Sequence, residues 1–175
     1  MRLCMLAPEF LPIWGGVGTY TVELLRHLPK TMEIHVVAPF RQRLGTSEAK
    51  TSDYEFHEYF SDNIQFHFVS SATDTFFYNA AFQYACSRFV PRLVRKVGID
   101  LIHSHAAHMP DLLLQFRGLK VPIVTTVHTT ILGQRRGSRE AGMSIRDLDF
   151  SEKMTFLGYP ILRLAEMIYF SGRRH

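Results

Sequence analysis

Three stretches of this chain combine residue types and spacing suited to phosphate oxygens or hydroxyl groups. The first is Pro8-Glu9-Phe10-Leu11-Pro12-Ile13-Trp14-Gly15-Gly16-Val17-Gly18-Thr19, a glycine-rich turn between an apolar run and a helical pattern. A helix N-terminus leaves N–H groups unpaired and carries partial positive charge, so an anion is favoured there. Glycine lets backbone approach a ligand with no Cβ in the way. A tight strand-to-helix turn would use the same residues, and Gly-Gly-x-Gly alone does not decide. The second stretch is Asp100-Leu101-Ile102-His103-Ser104-His105. Two apart on a strand, His103 and His105 can project to one face. They could form a metal pair completed by His108 or His128, pack as ordinary strand-end residues, or serve a sugar or phosphate site. The metal reading lacks an Asp, Glu or Cys at ligand spacing. The third is His128, where Val124-Thr125-Thr126-Val127 leaves the core. A neutral imidazole there can hydrogen-bond hydroxyls, and a protonated one can offset negative charge; a simple strand-end histidine is the alternative. Glu9 could orient a hydroxyl or hold the glycine loop, and Arg135, Arg136 and Arg139 are solvated charge or phosphate ligands.

The elements that must position these residues read as alternating strands and helices. Arg2 to Ala7 is a short, continuously apolar strand closed by Pro8. Val17 to Leu28 carries an apolar stripe of Val17, Thr21, Leu24, Leu25 and Leu28, and Pro29 stops it. Glu33 to Ala38 is a second buried strand ended by Pro39, completing a βαβ unit within about forty residues. Phe40 to Ser52 is a polar loop; Tyr54 to Phe60 and Ile64 to Val69 are strand-like, the second alternating as a half-exposed strand does. Thr75 to Val97 is helical, with Pro91 expected to kink or split it and Gly98 to cap it. Asp100 to His105 is a strand, Met109 to Phe116 a short helix, and Val121 to Val127 the next strand. About two dozen residues rich in Gly, Arg and Ser then read as a lid or a disordered loop. Asp149 with Glu152 forms a capping-box pattern for a last helix from Lys153 to about Phe170. Such alternation predicts an α/β protein with a doubly wound, mostly parallel sheet, and ligands gather beyond the C-terminal strand ends of such sheets. All three polar stretches fall at such ends.

With 175 residues the chain is one domain. Apolar residues make up 46% and charged residues 21%, ordinary for a globular protein. A net charge of +4 suits phosphate-bearing ligands or an anionic membrane surface. The charge is scattered, with no aromatic-and-basic RNA signature and no zinc-finger spacing, which argues against nucleic acid. Cys4 and Cys86 form no disulfide framework, and no stretch is a membrane span or signal peptide, so a cytoplasmic location is expected. Arg92, Arg95, Lys96 and the Arg135–Arg139 segment could draw the domain to the inner face of an anionic membrane.

Glu9-Phe10-Leu11-Pro12-x-x-Gly15-Gly16-Val17-Gly18, Asp100-Leu101-Ile102-His103-Ser104-His105 and Thr125-Thr126-Val127-His128, in this order, resemble the N-terminal domain of retaining GT-B glycosyltransferases of family 4. The resemblance spans Arg2 to about Phe170. It implies transfer of a sugar from a nucleotide-diphosphate donor to an acceptor hydroxyl, with retention and no required metal or cofactor. It places Gly15, Gly16 and Gly18 at the donor diphosphate, His128 beside the donor sugar and His105 near the reaction centre. Glu9, His103, Thr129 and Arg135 fall on the acceptor side, where the acceptor is a sugar, a lipid-linked molecule or a small molecule. The family's nucleotide-gripping residues belong chiefly to a second Rossmann-like domain, and no Glu-x7-Glu pair in a glycine-rich context occurs here. Residues 1–175 are therefore expected to be the acceptor-side half, short of its last strand and inactive alone. A non-catalytic subunit of a two-chain transferase remains open. A dinucleotide-binding Rossmann module is disfavoured, because the second strand ends Val37-Ala38-Pro39-Phe40 with no acid and the glycines are not G-x-G-x-x-G.

Overall fold

The computed structural model describes residues 1–11, 16–42, 59–73, 78–105, 109–142, 144, 146, 153 and 157–171. Five strands, β1 (Arg2–Leu6), β2 (Glu33–Gln42), β3 (Ile64–Thr73), β4 (Leu101–His105) and β5 (Ile123–Thr126), form one all-parallel sheet. Their order is β3-β2-β1-β4-β5. Around it lie α1 (Gly16–His27), α2 (Tyr78–Val97), a 3-10 helix (Leu112–Arg117), α3 (Ile131–Glu140) and α4 (Tyr159–Ser171).

Side-chain alternation along the strands splits the core in two, since successive residues point to opposite faces. Leu3, Met5, Ile34 and Val36 pack with Val22 and Leu25 of α1 and with Phe10 and Phe60. On the opposite face Cys4, Leu6, Val37 and Ile102 pack with Phe82, Cys86, Val90 and Leu93 of α2 and Leu114 of the 3-10 helix. Helices on both faces of a parallel sheet are the doubly wound, Rossmann-like arrangement expected from the pattern. The two cysteines, free and buried, meet in the second core.

Several elements differ from the expectation, and β3 runs past Val69 to Thr73, paired with the extended β2. β2 runs on through Pro39 to Gln42 instead of stopping at Ala38. Its neighbour β1 ends at Leu6, opposite Val37, so beyond that point β2 is paired with β3 alone. A proline is tolerated where one strand edge needs no donor, and the register shift between Ala38 and Pro39 absorbs it. α2 is not split at Pro91. An interior proline costs about 3 kcal/mol or more, but Phe82, Cys86, Val90 and Leu93 lie on one buried face across it, and each buried apolar side chain contributes roughly 1.5–3 kcal/mol. The segment after His128, expected to lack structure, contains α3, capped by Thr130, whose hydroxyl accepts from the Gly133 N–H at 3.0 Å. A Cβ on Gly133 would meet that hydroxyl at 3.1 Å, so the glycine that obscures the helix also makes room for its cap. The short element before β5 is a 3-10 helix at Leu112–Arg117, closed by Gly118 at φ 60°.

Most of the Tyr54–Phe60 run and the Asp149–Glu152 pattern lie outside the described residues. Phe60, at the end of that run, stacks on Phe10 with ring centroids 5.9 Å apart.

Helix α4 docks through Tyr169 and Glu166, with Ala165 and Phe170 packed beside the tyrosine. Tyr169 and Glu166 are buried, whereas Leu157, which precedes the helix, and Ile161, Leu164, Met167 and Ile168 on it are exposed. The Tyr169 hydroxyl donates to Asp111 Oδ1 at 2.8 Å, and Ser104 Oγ donates to the same oxygen. Burial pushes the Tyr169 phenol above its ordinary pKa despite opposing hydrogen bonds with Thr125 and Ser104, so it stays a neutral donor. Met109, held left-handed at φ 44°, packs against this tyrosine. Glu166 Oε1 accepts the Ile131 N–H at 2.7 Å, satisfying an orphan donor at the start of α3, and Arg163 pairs with its other oxygen. Replacing Glu166 with alanine removes this cap; the expected cost is about 0.5–2 kcal/mol, read as a lower urea midpoint at constant m-value. An unchanged midpoint would show that the contact adds nothing.

Candidate functional site

Sheet order reverses direction at β1: the chain moves outward to β2 and β3, then returns to the other side as β4 and β5. The crevice beyond the C-terminal ends of β1 and β4 is thus the switch point where ligands of such sheets bind. Pro8 to Leu11 and the start of α1 lie on one side of it, and His105 ends β4 on the other.

Parallel pairing sets β4 against β5 with His103 opposite Val124 and His105 opposite Thr126, which brings His128 up beside His105. Their rings stack with centroids 5.1 Å apart, and His105 Nδ1 lies 2.9 Å from His128 Nε2, a hydrogen bond in which one imidazole donates to the other. His105 is fully buried and His128 half-buried. His103 is 4.9 Å from the His105 ring and shares a 2.8 Å hydrogen bond between Nε2 and Thr126 Oγ1. Tyr20, from the second turn of α1, meets His128 and His105 edge-on at 4.9 and 5.7 Å. An edge-on ring fixes the plane of its neighbour, so α1 and the two strands define the imidazole pair together. Sequence reading missed Tyr20, because on α1 it is one exposed tyrosine beside an apolar stripe.

At the start of α1, Glu9 Oε2 accepts the Gly18 N–H at 3.3 Å, tying the loop after β1 to the helix. Gly16 opens the helix with space around it: a Cβ there would meet nothing within 4 Å. Gly15 lies outside the described residues, as does His108. Thr129 is half-buried between His128 and the cap of α3. Arg135 is on α3 with its guanidinium over the Tyr159 ring at 4.1 Å, a cation–π contact across to α4. The structure thus gathers Glu9, Gly16, Gly18, His103, His105, His128 and Thr129 along one edge, while Arg135 is engaged with α4. Among the described residues no group of three or more His, Cys, Asp or Glu could hold a metal ion.

Burial first, and then His128, lower the His103 pKa below its usual value. A second imidazole pair lies between β2 and β3: His35 Nδ1 to His67 Nε2 is 3.0 Å, and His35 Nε2 is 3.1 Å from Glu33 Oε1. Burial, His35 and Lys96, in that order, lower the His67 pKa as well. A histidine whose folded pKa is depressed binds its proton more readily when unfolded. Its stabilising contribution is therefore complete above about pH 6.5, the unfolded value, and is lost as pH falls below that. Urea midpoints at constant ionic strength are expected to be flat above neutrality and to drop through pH 6; a flat profile there would contradict it.

Residues 14–156, well over half of the chain, match Glycosyltransferase Family 4. The chain belongs to that family, and its five-stranded sheet is the Rossmann-like half of a GT-B fold. Among solved structures, that of apo UGT2 from Phytolacca americana is similar, with a TM-score of 0.53 at 9% identity. The likeness covers 75% of this chain and 30% of that one, so these residues span under a third of that protein's length. Comparison with curated proteins gives no match. Among the described residues no helix is long and apolar enough to cross a membrane.

Proposed function

We propose that this domain is the acceptor-side half of a retaining glycosyltransferase that moves a sugar, of hexose type, from a nucleotide-diphosphate donor to an acceptor hydroxyl. The observation that carries the reading is the hydrogen-bonded His105–His128 pair at the switch point, facing the first turns of α1. His128 hydrogen-bonds the donor sugar and His105 fixes its tautomer. The open backbone at Gly16 begins a helix whose N-terminal dipole favours the diphosphate; the family resemblance assigns Gly15 and Gly18 to the same group, with Glu9 holding the Gly18 N–H. Charge developing on the departing diphosphate is stabilised by donors already aimed at it, with no metal in the reading. Glu9, His103 and Thr129 line the acceptor side, with Arg135 at its margin, for a sugar, lipid-linked or small-molecule hydroxyl. The nucleotide grip is assigned to a second Rossmann-like half outside these 175 residues, and this half alone is expected to be inactive. A cytoplasmic setting, where nucleotide sugars and reduced thiols coexist, suits Cys4 and Cys86.

The test is to read the coding sequence past His175, express the resulting protein, and follow nucleotide diphosphate release from nucleotide sugars. Acceptor-dependent release that survives chelation supports the reading. A longer protein that hydrolyses or transfers nothing from any nucleotide sugar would defeat it.

A further inference from the structure

We propose that the outer face of α2, with the adjoining 3-10 helix, is a docking surface for an anionic lipid bilayer. At 3.6 residues per turn, Tyr84, Arg88, Arg92 and Arg95 fall within about 80° of arc, opposite the buried Phe82, Cys86, Val90 and Leu93. All four are exposed, with Lys96 beside them. The 3-10 helix extends the surface: Arg117 Nη2 donates to Ser87 Oγ at 3.4 Å, and Phe116, next to it in sequence, is 70% exposed.

Two features separate this face from ordinary solvated charge. No Asp or Glu occurs from Tyr78 to Val97 or from Leu112 to Lys120. Among the described residues, Arg88, Arg92, Arg95, Lys96 and Arg117 form no ion pair, whereas Arg2, Arg26 and Arg163 each meet a carboxylate. Five exposed cations with no ion pair are complementary to a negatively charged plane, where the attraction acts within a Debye length of about 8–10 Å. The aromatic residues choose between anionic partners. Phe116 has no polar atom to gain from water or from a base edge, and Tyr84 joins an apolar ring to a polar tip; both suit the headgroup boundary. Nucleic acid would instead call for a groove that follows the backbone.

The surface does not involve the imidazole edge, so it can be tested on the 175-residue chain without an activity assay. Vesicles of phosphatidylcholine alone, or with phosphatidylglycerol, are sedimented with the chain at low and high salt. Binding is expected to require phosphatidylglycerol and to fade with salt. Arg88→Gln, Arg92→Gln and Arg95→Gln together should weaken partitioning about a hundredfold, roughly fivefold for each arginine. Phe116→Ser should weaken it several-fold without changing its salt dependence. Arg26→Gln with Lys30→Gln, exposed changes away from this face, should leave binding as it was, and thermal melts of every variant confirm folding. Equal binding to both vesicle types, or a folded triple variant that binds like the parent chain, would overturn the proposal. So would a labelled RNA oligonucleotide that binds through the same arginines while vesicles do not.

Discussion

On the proposed reading, His128→Ala is expected to lower sugar transfer by the full-length protein by about 10²–10³, the order of effect of removing one positioned hydrogen-bond donor from a reaction centre. The residue is half-buried on the way out of β5, but its loss removes the hydrogen bond to buried His105, so the melting temperature should fall modestly while the variant stays folded. Because His105 and His128 share one hydrogen bond, they act as a unit. His105→Gln combined with His128→Gln should therefore be little worse than the more damaging single change, since effects within a unit are not additive. Steady-state kinetics on the four proteins of this cycle read it directly. If kcat is unaffected by His128→Ala, the imidazole pair has no part in the chemistry and is only a packing feature of the strand ends.

The largest stability effect is expected at Tyr169. Its ring is fully buried and its hydroxyl serves Asp111, itself buried between the 3-10 helix and β4. Tyr169→Ala removes an aromatic side chain from the core and one donor to Asp111 Oδ1, which keeps that of Ser104; the expected cost is about 3–5 kcal/mol. Tyr169→Phe keeps the ring and loses only the donor, for about 1–3 kcal/mol. Total stabilities of domains are about 5–15 kcal/mol, so the alanine variant gives up a large share of its stability and should melt well below the parent. Release of α4 also frees Glu166 from Ile131, so amide exchange at Ile131 should speed up more in the alanine variant than in the phenylalanine one. Matching urea curves for the two variants would show that the hydroxyl alone anchors α4; no change in either would show that α4 does not seat there.

What the sequence disclosed, and what it hid, follows from the range of the interactions. Leu3 to Leu6 and Ile102 are legible because both faces of the inner strands are buried and the runs are continuously apolar. The βαβ spacing around α1 is equally local. Helix α3 was hidden because Gly133, Gly137 and its arginines resemble a loop, although Thr130 is a cap signal in plain sight. The continuation of β2 past Pro39 depends on where β1 ends, and that is set by pairing. His103 and His105 on one face follows from strand geometry; the partnership of His105 with His128 needs the β4–β5 register, which no local pattern encodes. Glu166 to Ile131 and Tyr169 to Asp111 join residues 35 and 58 positions apart, and nothing in either neighbourhood announces the other.

Burial pushes the Cys4 thiol up to about 12, and burial with Cys4 as a neighbour raises that of Cys86 as well. Since the thiolate is the attacking species, both sulfurs are inert to alkylating reagents while the sheet is closed. One lies in the innermost strand and the other beneath it on α2, so exposure of either requires that face of the sheet to part from its helix. The chain therefore carries its own reporter of opening. The rate at which a small iodoacetamide reagent labels it at neutral pH measures how often the central layer comes apart, with no probe introduced.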